Sequence, residues 1–136
     1  LELTAGKIAT MYESPVGFRH GPKSLINEQT LVLVFGSIDH YTRQYDLDLV
    51  REVAGDRIAR QVVLLTDQAS EIDHVREVLV EASENSLDIY RAFPYILYGQ
   101  LISLLTSLKV NNRPDTPSPT GTVNRVVQGV IIHPFQ

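Results

Sequence analysis

Thr30-Leu31-Val32-Leu33-Val34-Phe35 is a continuous run of β-branched, aliphatic and aromatic residues that stops at Gly36. A strand with one wet face alternates apolar and polar residues, whereas an unbroken apolar strand is covered on both faces, as in a parallel sheet between helices. Residues on both sides of this run fit that reading. After the polar linker Ser37–His40, residues Tyr41, Tyr45, Leu49 and Val53 recur every fourth position and predict a helix with one apolar face, ending near Gly55. Gln61–Thr66 is a second apolar strand, and Val75–Ala82 is read as a third in preference to a helix continuing from Ser70. Strand, helix, strand, strand is an α/β pattern, and open α/β sheets bind ligands beyond the carboxyl ends of their strands.

Further downstream, Ser86 and Asp88 supply cap chemistry for a long helix, Leu87–Lys109. Its apolar positions, from Ile89 through Leu108, predict the buried hydrophobic backbone of the domain. Pro94 is expected to kink it or to mark a new start. The prolines, asparagines and glycine of Asn111–Thr122 then predict an extended tail, with Val126–Ile132 as a last edge strand. Upstream, Leu1–Ala5 before Gly6 reads as the last turn of a helix whose start lies before this sequence. Lys7–Tyr12 alternates well enough to be a strand, and Pro22 is placed to open a short helix over Lys23–Ile26.

Between those two segments lies Gly17-Phe18-Arg19-His20-Gly21-Pro22-Lys23, where a histidine stands between two cations and beside two residues that shape backbone turns. Taken alone, His20 is a surface-turn histidine bonded to backbone, and Arg19 and Lys23 solvate a loop. A catalytic reading needs more than the loop itself.

Composition excludes several classes. The chain has 136 residues, 43% hydrophobic and 21% charged, which is ordinary for about one globular domain. A net charge of -4 with scattered lysines and arginines argues against nucleic acid as a partner. The absence of cysteine removes disulfides, zinc-thiolate sites and thiol nucleophiles, and a reducing cytoplasm is the expected setting. The most apolar run, Phe93–Leu108, falls short of the roughly 20 residues that cross a bilayer, so no membrane role is expected. His40, His74 and His133 lack the spacing with carboxylates that a metal site needs, no serine sits in a nucleophile elbow, and no glycine-rich nucleotide loop occurs. Neither metal nor cofactor is expected.

Four stretches, in order, carry a resemblance. Leu1-Glu2-Leu3-Thr4-Ala5-Gly6-Lys7 is followed by Gly17-Phe18-Arg19-His20-Gly21-Pro22-Lys23-Ser24 and by Tyr41-Thr42-Arg43-Gln44-Tyr45-Asp46-Leu47-Asp48-Leu49. The last begins with Pro114-Asp115-Thr116-Pro117-Ser118-Pro119 and continues through Gly121-Thr122-Val123-Asn124-Arg125-Val126-Val127-Gln128-Gly129-Val130. Together they resemble the C-terminal SIS (sugar isomerase) domain of the tagatose-6-phosphate ketose/aldose isomerase and galactosamine-6-phosphate deaminase/isomerase family, which is related to the isomerase part of glucosamine-6-phosphate synthase. The resemblance implies an α/β three-layer sandwich, a mainly parallel sheet flanked by helices, present here as an incomplete domain. Residues 1–110 would be the C-terminal part of a SIS domain and 111–136 its extended tail.

The resemblance also implies roles. Glu2 falls where related isomerases carry the carboxylate that moves a proton between C1 and C2, a task that burial suits by raising a glutamate toward neutrality. Its alternative is a solvated glutamate at a helix end. His20 falls at the ring-opening histidine, whose ordinary pKa near 6.5 suits proton exchange. Because related enzymes supply this histidine to a neighbouring subunit, a homo-oligomer with a shared active site is implied. Arg19, Lys23, Asn124 and Arg125 are candidate contacts for a phosphorylated sugar.

Two departures bear on the chemistry. Residues 114–136 contain no lysine, where synthase-type isomerases have one that forms a Schiff base. The serine- and threonine-rich phosphate loop of SIS domains is also missing; in the family it lies in an upstream SIS domain. The expected activity is isomerisation and deamination of galactosamine 6-phosphate to tagatose 6-phosphate and ammonia. The alternative is a non-catalytic SIS module that senses a phosphosugar.

Overall fold

A computed structural model describes residues 7–81, 86–116, 118, 120, 121, 126 and 129–135. The chain divides into two compact units, Tyr12–Ile96 and a second formed by Leu1–Met11 with Leu97–Gln136.

In the first unit, β1 (Leu31–Phe35), β2 (Gln61–Thr66) and β3 (Val75–Leu79) form a parallel sheet in the order β1-β2-β3. Leu31 pairs with Gln61 and Val62 with Val75 in its two registers. The three strands stand where the apolar runs predicted them. The connection from β1 to β2 is a helix, α2 (His40–Asp56), capped by the Asp39 carboxylate, which accepts the Thr42 amide at 2.8 Å. From β2 to β3 the chain returns through residues 67–74 without a helix, tied down by Glu77, whose carboxylate accepts the Ser70 amide at 3.0 Å.

The core lies between α2 and one face of the sheet. Leu49, Val50 and Val53 pack there with Val34, Val62 and Leu64, and Phe18 and Ile26 cover its margin. At about 25 cal/mol per Å² of apolar area removed from water, these side chains supply the main driving force of the unit. The expected helical face is half right. Leu49 and Val53 are buried, but Tyr41 and Tyr45 stand in solvent with their rings edge to face, 5.3 Å apart, and their hydroxyls 2.8 Å apart. The buried stripe turns instead through Asp46 and Val50.

Three further expectations are corrected. Lys7–Tyr12 forms no strand; it has no ladder partner among the described residues, and Tyr12 is fully exposed. Residues Val126 and 129–132 form no strand either, and Ile132 stands in solvent. The long helix, α3 (Asp88–Lys109), runs through Pro94 without a new start, but it is not a buried core helix: Phe93 is 70% exposed and Leu105 64%. The sheet face that makes the core is already covered by α2, so the apolar spacing of α3 made it amphipathic without giving it a covering partner among the described residues.

The first turns of α3 are nevertheless docked by polar groups. The Tyr95 hydroxyl donates to the Gly36 carbonyl at 2.7 Å, and the Arg91 guanidinium donates to the Val80 carbonyl at 2.5 Å. Asp88 does not cap its own helix; its carboxylate accepts the Ile38 amide at 2.8 Å and the Ser37 hydroxyl. In the second unit, α3 ends in a left-handed Asn111, with the Asn112 amide on the Ser107 carbonyl at 2.9 Å and Lys7 Nζ on the Val110 carbonyl at 2.6 Å. The tail beyond it has no regular element among the described residues.

Candidate functional site

The histidine loop is two short helices joined at a corner. Ser14 caps the first, α1 (Pro15–Arg19), by accepting the Gly17 amide at 3.1 Å, and Pro15 occupies its first position. His20 is the C-cap, its amide donating to the Gly17 carbonyl at 3.1 Å. Gly21 turns the chain into a 3₁₀ turn, η1 (Pro22–Leu25), with its carbonyl accepting the Ser24 amide at 3.0 Å and the Ser24 hydroxyl at 2.7 Å. Pro22 thus opens a short helix as expected. The segment before it is helical rather than open loop, a property written in Ser14-Pro15 as a cap followed by proline.

Neither helix buries a residue, so each is held by what touches its ends. Arg19 Nε lies 2.8 Å from Glu52 Oε2, while Lys23 Nζ reaches both Glu52 Oε1 and Asp56 Oδ2, the latter at 2.7 Å. The hydrogen bond from Lys23, its charge and that of Arg19 hold the Glu52 carboxyl below the usual carboxylate range. Hydrogen bonds to Asp56 and then Glu52 push the Lys23 ammonium up. His20 stands between the two cations and is exposed.

Glu52 and Asp56 are the residues that sequence reasoning missed. Part of the signal was present: Glu52 and Asp56 are four apart, which puts both carboxylates on one side of α2, while Arg19 and Lys23 flank the corner at His20. Nothing in that spacing says that the two pairs meet.

The clamp joins the loop to the last turns of α2, which lead into β2, so His20 lies toward the amino ends of the strands. Their carboxyl ends, where an α/β sheet ordinarily takes its ligand, are filled by the protein's own groups. Asp46 Oδ2 accepts the Ser37 amide at 2.8 Å, and burial pushes this carboxyl up from its ordinary range. Arg43 donates to Thr66 Oγ1 at 2.6 Å, to Asp67 at 3.2 Å and to the Gln68 carbonyl at 2.8 Å. Gly36 lets the backbone approach closely there, since a Cβ would stand a tight 3.1 Å from the Leu65 carbonyl oxygen.

The other candidate residues, Glu2, Asn124 and Arg125, lie outside the described residues. Among the described residues no group of histidines and carboxylates is arranged to hold a metal, and no helix is long and apolar enough to cross a membrane.

Known proteins align over the whole chain. It is 52% identical to the D-galactosamine-6-phosphate deaminase AgaS of Escherichia coli over 100% of its length, and 44% identical to that of Shewanella sp. (strain ANA-3) over 99%. The crystal structure of tagatose-6-phosphate ketose/aldose isomerase from Escherichia coli superposes on 100% of the chain with a TM-score of 0.83 and 45% identity. By sequence and fold, this chain is similar to one part of these longer enzymes, which is consistent with a SIS-type domain. No family model matches it. The chain spans about a third of the relatives' own length, 36% and 32% of the two deaminases and 34% of the isomerase. Its parallel α/β sheet is the expected one, whereas the histidine corner is held by an ion-pair clamp that its sequence had not announced.

Proposed function

We propose that this chain is the histidine-bearing, C-terminal part of an enzyme that isomerises and deaminates galactosamine 6-phosphate. The supporting observation is the alignment of the entire chain, at 52% identity, with a D-galactosamine-6-phosphate deaminase, together with an exposed histidine held at a pinned corner. In this reading His20 exchanges the proton between the ring oxygen and the C1 hydroxyl as the pyranose opens to the aldehyde. Glu2 then removes the proton from C2 and returns it to C1, while the amine at C2 becomes an imine. Water adds to that imine and ammonia leaves, giving tagatose 6-phosphate.

Exposure of His20 away from the filled carboxyl ends of the strands fits a site completed by other polypeptide, in keeping with a homo-oligomer and an upstream SIS domain that carries the phosphate loop. Asn124 and Arg125 would position the sugar, since an arginine stays protonated and cannot form an imine. Arg19 and Lys23 already face two carboxylates, which offsets their attraction for phosphate. We place the enzyme in the cytoplasm.

Ammonia release from galactosamine 6-phosphate by the full-length protein is the test. Turnover accompanied by tagatose 6-phosphate supports the reading; phosphosugar binding without turnover favours the sensor. The variant Glu2→Gln should lose isomerisation and keep substrate binding by calorimetry, and loss of binding would make Glu2 structural.

A further inference from the structure

We propose that Glu52 is a positioning residue for His20, an inference that rests on reading His20 as the ring-opening histidine. Glu52 uses both carboxylate oxygens, Oε2 for Arg19 at 2.8 Å and Oε1 for Lys23. These two cations are the charged residues on either side of His20, so one carboxylate closes a ring around the corner that presents the imidazole. Asp56 holds Lys23 from the next turn at 2.7 Å.

The loop cannot supply this order by itself. α1 has five residues and η1 four, neither has a buried residue, and helices so short are not stable without outside contacts. Phe18 and Ile26 fix where the segment enters and leaves by packing at the margin of the core. Between them, among the described residues, the ion pairs that tie its side chains to α2 run through Arg19 and Lys23. α2, by contrast, is rigidly seated, with Leu49, Val50, Val53 and Ala54 buried around the turn that carries Glu52. Glu52 transmits that rigidity to His20.

Magnitudes separate this role from a merely structural one. Half-exposed ion pairs add little to fold stability. A displacement of about 1 Å at a reacting group, however, can cost on the order of 100-fold in rate. Loss of Glu52 should therefore spare the fold and slow ring opening.

In the full-length protein, Glu52→Gln should lower kcat for ammonia release by about 10- to 100-fold while KM stays within about 3-fold. Its unfolding midpoint should be unchanged, and Glu52→Asp should recover part of the rate. An acyclic amino sugar phosphate lacking the ring-closing hydroxyls needs no ring opening, so wild type and Glu52→Gln should turn it over alike. Should Glu52→Gln unfold, Asp56→Asn, which frees only the second pin of Lys23, is expected to give a smaller loss with the same split. Active wild-type protein with an unimpaired Glu52→Gln overturns the positioning role alone, as does an equal loss on cyclic and acyclic substrates. Wild-type protein that releases no ammonia overturns the reading of the site itself and the positioning role with it.

Discussion

Arg19 and Glu52, 33 residues apart in the chain, meet Nε to Oε2 at 2.8 Å, and this pair binds the helix before His20 to the helix that seals the core. Lys23 completes the clamp from the other side. The corner is thus built as a tethered turn on a rigid support, which is how a side chain on irregular backbone can be held for chemistry.

The clamp should have a defined pH range. Hydrogen bonding from Lys23 depresses Glu52, so its contribution is present above the ordinary value of 4.5 and is lost as pH falls through the lower folded value. Lys23 is raised, so its contribution holds below 10.5 and is lost as pH rises through the higher folded value. Titrating the Glu52 side-chain carbon by NMR should give a midpoint below 4.5, and Lys23→Met should bring it back up. A midpoint at or above 4.5 in the native protein contradicts the clamp.

His20→Asn should preserve folding and cut ammonia release from the cyclic substrate by about 100-fold or more, within the range attributed to general acid–base groups. Sparing of the acyclic substrate would mark the loss as one of ring opening. Equal rates for His20→Asn and wild type on the cyclic substrate would remove His20 from the mechanism.

Asp46 carries the opposite pH signature. Burial raises its carboxyl, with the Ser37 amide acting against that rise, so its ionisation costs stability as pH climbs from its ordinary value of 3.8 through the higher folded value. Asp46→Asn keeps an oxygen for the Ser37 amide and removes the buried charge. Urea unfolding should show equal or greater stability at pH 7 and a flatter dependence between pH 4 and 7; a marked loss at pH 7 would mean that the charge itself is needed.

Leu64 is fully buried under α2, and Leu64→Ala should cost about 3 kcal/mol through lost transfer energy and the cavity left behind. Tyr95→Phe should cost about 1 kcal/mol, because the Gly36 carbonyl loses the hydroxyl that donates to it while the ring stays in place against Phe35. Both follow from denaturant midpoints, and the reverse ranking would show that α3, rather than the β1–α2–β2 unit, is the more important support.

How far the chain explains itself varies from residue to residue. The runs Leu31–Phe35 and Gln61–Thr66 are strands because they are apolar and β-branched throughout, which is local information. Ser14-Pro15 likewise held the start of α1 in plain sight as a capping residue before proline. Periodicity misled at Tyr41 and Tyr45, since a four-residue spacing drifts around a helix of 3.6 residues per turn and the buried stripe moved to Asp46 and Val50. It misled again in α3, where an apolar face recorded the need for cover and not its presence.

The candidate site divides along the same line. By itself the sequence determined that a histidine stands between two cations at a turn, and its four matching stretches pointed to the SIS family, because residue type and order are local properties. Only the tertiary structure decided that Arg19 and Lys23 face Glu52 and Asp56 and that Asp88 bonds to the loop after β1 instead of its own helix. Those partners are chosen by Coulomb attraction and hydrogen bonding across space, which depend on where the packed core of Leu49, Val53, Val62 and Leu64 places α2 and leave no period in the chain.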